Sequence, residues 1–117
     1  MSVEKIVELQ KKAEGLKLLY AEDNKNLQQQ AMKVFTKIFS DVFVCDNAQE
    51  GLELFKKHLP EVVITDINML GISGIEMAKR IKKIEPFTKV IITSAFDDKE
   101  QTSFEQVIAT KPLPLLK

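Results

Sequence analysis

The sequence predicts a single α/β domain in which helices cover both faces of a parallel sheet. Short apolar segments alternate five times with helical segments along the 117 residues, and each apolar segment is continuous rather than interrupted by polar residues. Continuous apolar strands are typical of a parallel sheet that is buried on both faces. Right-handed crossovers between such strands make a doubly wound fold the expected topology. A chain of this length suffices for one domain and is too short for two.

In the first half of the chain, the elements follow from apolar spacing and from residues that start or stop helices. Residues 3–14 carry apolar side chains at helical spacing, and Gly15 ends that helix. Asn47, with Glu50 three residues later, resembles a capping box and predicts the start of the third helix. The predicted elements are a helix at 3–14, a strand at 17–21, a helix at 25–39, a strand at 42–45 and a helix from 47 through 58.

The second half of the chain continues the same alternation. Pro60 closes the third helix, and the fourth helix ends before Pro86, because the residue before a proline disfavours helical backbone angles. An apolar strand lies on either side of this fourth helix, and a weaker helical pattern then leads to a last strand. The predicted elements are a strand at 62–65, a helix at 74–84, a strand at 89–93, a helix at 97–106 and a strand at 107–110.

Composition narrows the class of function. Lys and Arg together number 17, and so do Asp and Glu, which leaves no net charge to attract nucleic acid or an anionic membrane. No apolar run approaches the length of a membrane span. Cys45 is the only cysteine and cannot form an internal disulfide, and beside a single histidine it argues against a zinc site. These features, with no secretory signal at the N-terminus, predict a cytoplasmic protein that contacts neither nucleic acid nor membrane directly.

Polar side chains follow the predicted strands at the points where the strands end. Glu22 and Asp23 follow the first strand, Asp66 the third, Ser94 the fourth and Lys111 the fifth. In doubly wound folds, ligands bind at the carboxyl ends of the strands, so these groups should meet in one crevice. Crowded carboxylates repel one another, and Mg²⁺ is a cation that such oxygens hold. A cation beside a lysine and a hydroxyl suits a phosphoryl group, which a carboxylate can attack.

Four short motifs occur in order at these strand ends. They are YAEDN at 20–24, DINM at 66–69 with Gly74 downstream, Ser94-Ala95 followed by Phe96 and two aspartates, and Lys111-Pro112. From about Lys17 to Leu113, the chain resembles a receiver domain of a two-component response regulator. The resemblance implies a flavodoxin-like five-stranded parallel sheet in the order 2-1-3-4-5. Residues 1–16 would then be an N-terminal helical extension and residues 17–117 the receiver domain.

The resemblance implies a role for each acidic residue of these motifs. Asp66 would accept a phosphoryl group from a histidine kinase and would supply an oxygen to Mg²⁺. Asp23 would bind Mg²⁺ directly, and Glu22 would bind it through water. The backbone carbonyl of Asn68 would supply a further metal ligand.

The resemblance also implies roles for residues near the C-terminus. Ser94 would hydrogen-bond a phosphoryl oxygen, and Lys111 would pair with another. Ala95 is small enough to lie beside the transferring phosphoryl group. Pro112 would follow a cis peptide bond that aims Lys111 into the site, since cis bonds occur mainly before proline.

The same residues have purely structural interpretations. Glu22, Asp23 and Asn24 could cap the following helix, because acidic and amide side chains suit a helix N-terminus. Asp66 could begin an Asx turn. The occurrence of these residues together, at neighbouring strand ends, favours the functional interpretation.

The chain departs from the family pattern at three internal positions. Leu70 stands where the family usually has a proline, so the loop after the third strand should be less stiff. The crossover between Ala95 and Val107 is short and lacks glycine. The helix predicted at 97–106, which corresponds to the family's fourth helix, should therefore be short or irregular. Ile108 stands where the family usually has an aromatic switch residue, which predicts a weaker switch.

Both ends of the chain also differ from the family pattern. The sequence ends at Lys117, which leaves no room for the family's fifth helix and predicts an uncovered apolar sheet face. The N-terminal helix could cover that face, in its own molecule or in a homodimer. Its stripe consists of Ile6, Leu9, Ala13 and Leu16. Alternatively, the chain is a fragment of a longer regulator.

The function predicted from the sequence is that of a phosphorylation-controlled interaction module. A sensor histidine kinase or phosphotransfer protein would phosphorylate it, and an output domain or target protein would respond. It would catalyse its own phosphorylation and slow dephosphorylation without turning over an external substrate, so it is not expected to be an enzyme.

Two other functions stay open on the sequence. A degenerate receiver would serve as a phosphorylation-independent interaction or dimerisation module, which Ile108 and the short crossover favour and the intact Asp66 opposes. A small phosphatase with an aspartate nucleophile is the other. Its usual signature has a second aspartate two residues after the first, where this chain has Asn68.

Overall fold

The structure, a computed structural model, describes residues 2–69 and 71–93. Four helices and four strands alternate within these residues: α1 Val3–Lys12, β1 Lys17–Ala21, α2 Lys25–Ile38, β2 Asp41–Cys45, α3 Ala48–His58, β3 Val62–Asp66, α4 Gly74–Ile84 and β4 Lys89–Thr93. The predicted alternation of strands and helices from residue 17 to residue 93 is confirmed. The helix predicted at 97–106 and the strand predicted at 107–110 lie outside the described residues.

The four strands form one parallel sheet in the order β2-β1-β3-β4. In the register of the central pairs, Leu18 of β1 lies opposite Val42 of β2 on one side and Val62 of β3 on the other. The chain therefore winds outward in one direction from β1 to β2 and in the other from β3 to β4. The carboxyl ends of β1 and β3 are neighbours at this reversal, where doubly wound folds bind ligands.

Each face of the sheet packs against two helices, because side chains alternate between faces along a strand. One core cluster joins alternate strand residues to α1 and α2; its buried members are Leu9, Ala13, Leu18, Tyr20, Ala31, Phe35, Ile38, Phe39, Val62, Ile64 and Ile91. The other joins the remaining strand residues to α3 and α4; its buried members are Leu19, Ala21, Cys45, Ala48, Phe55, Val63, Met77, Ala78, Ile81 and Val90. The doubly wound prediction is confirmed for this part of the chain.

Helix α1 packs onto its own sheet. Ser2 caps its N-terminus by accepting a hydrogen bond from the backbone N–H of Lys5 at 3.1 Å. Leu9 and Ala13 are fully buried in the first core cluster, whereas Val3 on the outer side is 76% exposed. Gly15, at φ +78°, then makes the turn that leads into β1. Leu9 and Ala13 of the predicted apolar stripe thus pack within their own molecule, and the homodimer arrangement stays a prediction.

The helices are short. The longest helix among the described residues, α2, has 14 residues. Among residues 2–69 and 71–93, no helix has both the length and the apolar character that a bilayer crossing requires.

Candidate functional site

Three carboxylates meet where β1 and β3 end. Glu22 directly follows β1, Asp23 follows Glu22, and Asp66 is the last residue of β3. The two strands are paired to this end of the sheet, with Ala21 opposite Thr65. One oxygen from each of the three carboxylates lies within 4.8 Å of the other two. We call Glu22, Asp23 and Asp66 the acidic cluster.

Glu22 is the buried member of the acidic cluster, with 3% of its surface exposed. Its Oε2 accepts a hydrogen bond from the backbone N–H of Asn24 at 3.0 Å, and its own backbone N–H donates to the carbonyl of Cys45 at 3.0 Å. Burial raises the pKa of the Glu22 carboxyl, and the charges of Asp66 and Asp23 raise it further, while the Asn24 hydrogen bond opposes the rise.

Asp66 is half-buried, and Asp23 is exposed. Burial is the main cause that raises the pKa of the Asp66 carboxyl, and the charge of Asp23 adds to it. Backbone hydrogen bonds from Asn68 and Ile67 oppose this rise. The acidic cluster therefore holds two carboxyls that resist ionisation because they are buried and close to other carboxylates.

The chemistry of the acidic cluster fits a small hard cation. All three side chains offer oxygen, and no nitrogen or sulfur ligand belongs to the cluster among the described residues. Burial is the main cause of the raised pKa of Glu22 and Asp66, and a divalent cation would remove the carboxylate repulsion that adds to it. Oxygen ligands with water completing the coordination sphere are what Mg²⁺ prefers. The acidic cluster can therefore bind Mg²⁺ through its carboxylates.

Two successive backbone carbonyls at the end of β3, those of Asp66 and Ile67, accept hydrogen bonds. Thr65, which is fully buried, donates its hydroxyl hydrogen to the Asp66 carbonyl oxygen at 3.0 Å. The backbone N–H of Gly74 donates to the Ile67 carbonyl at 2.9 Å. A Cβ at Gly74 would overlap the Asp66 carbonyl, whose carbon would lie 2.9 Å away, and would come within 3.0 Å of the Thr65 hydroxyl oxygen. Only glycine therefore allows α4 to begin this close to Asp66.

Replacing Gly74 with alanine is expected to lower the free energy of unfolding by about 3 kcal/mol, because the Asp66 carbonyl and the Thr65 hydroxyl must move to admit the methyl group. Chemical denaturation measures this change. Gly71→Ala is the matched control in the same loop, since Gly71 has φ +81° but open space around its Cα. Its loss should be about 1 kcal/mol, the cost of a left-handed backbone for alanine. Equal losses in the two variants would show that the approach of Gly74 to Asp66 is unimportant.

A polar network beside the acidic cluster joins the ends of β1 and β2. The Nε2 atom of Gln28 donates to the Glu22 carbonyl and to Oδ1 of Asp46, each at 2.9 Å. Lys25 Nζ contacts both carboxylate oxygens of Asp46 at 2.8 Å. Lys25 and Gln28 hold the pKa of Asp46 below its usual value. Gln28 joins the backbone of Glu22 to α2, and Lys25 keeps Asp46 paired outside the acidic cluster.

The sequence indicated only part of this arrangement. Asn24 caps α2, with its Oδ1 accepting from the backbone N–H of Leu27 at 3.1 Å, so the capping interpretation holds for Asn24 while Glu22 and Asp23 join the acidic cluster. Asp46 directly follows β2, so the strand-end rule that indicated Glu22 and Asp66 also applies to it. Gln28 carries no signal in the sequence, because its contacts depend on how β2 lies against β1.

Of the remaining predicted site residues, Asn68 is described by the structure and the others are not. Asn68 is exposed in the loop after β3. Thr93, the last residue of β4, lies opposite Asp66 in the sheet, and its carbonyl accepts from the backbone N–H of Ile67 at 2.8 Å. The residues predicted to contact the phosphoryl group, Ser94, Ala95 and Lys111, lie outside the described residues, as do Ile108 and the predicted cis bond before Pro112.

Comparison with known proteins gives the family. The sequence model of the response regulator receiver domain matches residues 18–109, which include the acidic cluster. Helix α1 precedes the matched region, and Lys111 lies just beyond it.

Individual relatives agree with this match. Sporulation initiation phosphotransferase F of Bacillus subtilis is 30% identical over 70% of this chain and 66% of its own length. Chemotaxis protein CheY of Thermotoga maritima is 32% identical over 69% of this chain and 68% of its own length. The crystal structure of a response regulator receiver domain protein from Clostridium thermocellum is 29% identical, with a TM-score of 0.62, over 78% of this chain and 74% of that chain.

Several relatives are longer than this chain. The matched region spans 37% of the length of one of them and 39% of the length of another. The shared region is the parallel α/β fold that carries the acidic cluster at its strand ends. The chain belongs to the response regulator receiver domain family of two-component systems.

Proposed function

We propose that this receiver domain accepts a phosphoryl group on Asp66, with Mg²⁺ bound by the acidic cluster and by the backbone carbonyl of Asn68. The supporting observation is the meeting of three carboxylate oxygens within 4.8 Å at the ends of two adjacent strands. Asp23 is the exposed member and would bind the cation directly, and the buried Glu22 would bind it through water. Bound Mg²⁺ would neutralise charge on the carboxylates and on the incoming phosphoryl oxygens.

The transfer is a displacement at phosphorus. An oxygen of the ionised Asp66 carboxylate forms a bond to the phosphorus of the donor. The bond from phosphorus to the histidine nitrogen, or to the oxygen of a small acyl phosphate, breaks, and its electron pair leaves with the donor group. Attack needs an ionised carboxylate, yet burial raises the pKa of Asp66. Cation binding and the backbone hydrogen bonds from Asn68 and Ile67 both favour the reactive form.

Ser94, Ala95 and Lys111 complete the proposed site. Thr93 pairs with Asp66 in the sheet, so the chain leaves β4 beside the phosphoacceptor and continues directly into Ser94. Ser94 would hydrogen-bond a phosphoryl oxygen, and the small Ala95 would leave room for the group. Lys111 would follow a fifth strand at 107–110, which would extend the sheet to the order 2-1-3-4-5.

The proposed partners follow from the family. A sensor histidine kinase or a phosphotransfer protein would supply the phosphoryl group, and an output domain or target protein would respond to it in the cytoplasm. The domain would turn over no external substrate. Residues 1–16 would form an extension to the receiver domain at 17–117, and the exposed Val3 and Val7 of α1 make a second copy of this chain a further candidate partner.

Incubation with Mg²⁺ and acetyl phosphate, followed by intact mass measurement, tests this function. We expect the chain to gain one phosphoryl group, which hydroxylamine removes because it is an acyl phosphate. A parallel sample with EDTA should gain none. A chain that stays unmodified while binding Mg²⁺ would contradict phosphoryl transfer to Asp66.

A degenerate receiver is the second candidate function. It is favoured by Ile108, which stands where the family usually has an aromatic residue that reports phosphorylation. Such a domain would keep its fold and its interaction surface without responding to phosphorylation. Amide NMR spectra recorded with and without acetyl phosphate separate the two, since a degenerate receiver would show no change of conformation away from Asp66.

A further inference from the structure

Tyr20 has a buried hydroxyl group for which the described part of the chain supplies no hydrogen-bond partner. The residue lies in β1, is 2% exposed, and packs its ring edge-to-face on Phe35 with ring centroids 5.1 Å apart. Phenylalanine would keep the same ring contacts and would avoid the cost of an unpaired buried hydroxyl. Packing therefore explains the ring of Tyr20 and does not explain its hydroxyl.

The register of the sheet places Tyr20 next to the acidic cluster. Side chains alternate along a strand, so Tyr20 and Glu22 belong to the same face of β1. Tyr20 lies opposite Ile64 of β3, and Asp66 is two residues further along on that same face. Burial first, and then the charges of Glu22 and Asp66, raise the pKa of the Tyr20 hydroxyl. The hydroxyl is therefore within electrostatic reach of two members of the acidic cluster.

We propose that Tyr20 is a positioning residue of the acidic cluster. When the acidic cluster holds a divalent cation, the Tyr20 hydroxyl donates a hydrogen bond to a carboxylate oxygen of Glu22 or Asp66. This inference rests on the proposed function, because it assigns the cluster a cation. Hydrogen bonds to ionised oxygens are stronger than those between neutral groups. A donor at this position fixes the direction of the carboxylate oxygens, and strand β1 fixes the position of Tyr20.

The chain provides its own spectroscopic probe for this test. Tyr20 is its only tyrosine, and it has no tryptophan, so tyrosine emission reports on this residue alone. Titration of the full chain with Mg²⁺ should change that emission at the same midpoint that calorimetry gives for binding. In Asp23→Ala, which removes one carboxylate of the acidic cluster, the midpoint of the emission change should move to about tenfold higher Mg²⁺.

The variant Tyr20→Phe removes only the hydroxyl. By calorimetry, its affinity for Mg²⁺ should fall about three- to tenfold, the range expected for the net loss of one hydrogen bond. Its melting temperature without cation should be unchanged or higher. Phe35→Leu is the control for packing, because it removes the ring partner of Tyr20 and leaves the hydroxyl. It should lower the melting temperature and keep the affinity for Mg²⁺.

Two results would overturn the role of Tyr20 while leaving the proposed function intact. One is a Tyr20→Phe variant that binds Mg²⁺ as tightly as the wild type. The other is wild-type emission that does not respond although calorimetry shows binding. Failure of the wild-type chain to bind Mg²⁺ at all would overturn the proposed function, and the role of Tyr20 with it.

Discussion

Replacing Asp66 with asparagine is expected to abolish phosphoryl uptake from acetyl phosphate. The amide has nearly the same shape as the carboxylate but no anionic oxygen to attack phosphorus. The fold should be retained, because Asp66 is held in place by its backbone, through the Thr65 hydroxyl and the close approach of Gly74. Intact mass measurement in the presence of Mg²⁺ should show the adduct on the wild type and none on the variant.

Asp46→Asn is the matched control for this loss. Asp46 also lies at the carboxyl end of a strand, but it pairs with Lys25 and Gln28 and does not belong to the acidic cluster. This variant should therefore keep the phosphoryl adduct. If Asp66→Asn gains as much adduct as the wild type, another residue is the acceptor and the assignment of Asp66 is wrong.

Replacing Asp23 with alanine is expected to weaken Mg²⁺ binding by about tenfold or more, which corresponds to about 1.4 kcal/mol. Asp23 is the exposed member of the acidic cluster, and its charge also raises the pKa of Glu22 and Asp66. Its removal relieves this repulsion, so the melting temperature without cation should stay equal or rise. Calorimetric titration and thermal unfolding measure the two effects.

The sign of the pH dependence of stability follows from the burial of Glu22 and Asp66 and from the repulsion within the acidic cluster. Because the pKa values of Glu22 and Asp66 are raised on folding, the folded state binds more protons than the unfolded state just above the ordinary carboxyl pKa. The free energy of unfolding should therefore fall as the pH rises through that range. The fall should be smaller in Asp23→Ala and in the wild type with saturating Mg²⁺.

Asp41→Ala is the control for Asp23→Ala. Asp41 is exposed at the start of β2, whereas the acidic cluster lies at the carboxyl ends of the neighbouring strands. Its replacement should leave the affinity for Mg²⁺ unchanged. Equal affinities in the wild type and Asp23→Ala would show that the acidic cluster is not the metal site.

The fold could be predicted because each strand is a continuous apolar segment. The strand residues that apolar patterning did not predict are polar residues that join the sheet through backbone pairing. Asp66 belongs to β3 because it pairs with Thr93, and Asp41 belongs to β2 because it pairs with Lys17. Apolar patterning cannot detect such residues, since their place in a strand depends on the neighbouring strand.

The acidic cluster was predicted from one general rule, that ligands bind where parallel strands end. This rule applies to residues at the carboxyl ends of strands: Glu22 and Asp23 come after β1, and Asp66 ends β3. It does not reach Gln28, whose contact with Asp46 joins residues 18 positions apart. Nor does the rule identify the hydroxyl of Tyr20, because its burial and its lack of a partner among the described residues depend on the packed core.

The most direct test of phosphoryl transfer to Asp66 is to locate the modified residue. Borohydride reduces an acyl phosphate to an alcohol, so it converts a phosphorylated aspartate to homoserine before the chain is digested and its peptides are sequenced by mass spectrometry. After incubation with Mg²⁺ and acetyl phosphate, homoserine should be found at position 66 and nowhere else. Homoserine at position 23 or at any other aspartate, or its absence from position 66, would contradict the assignment.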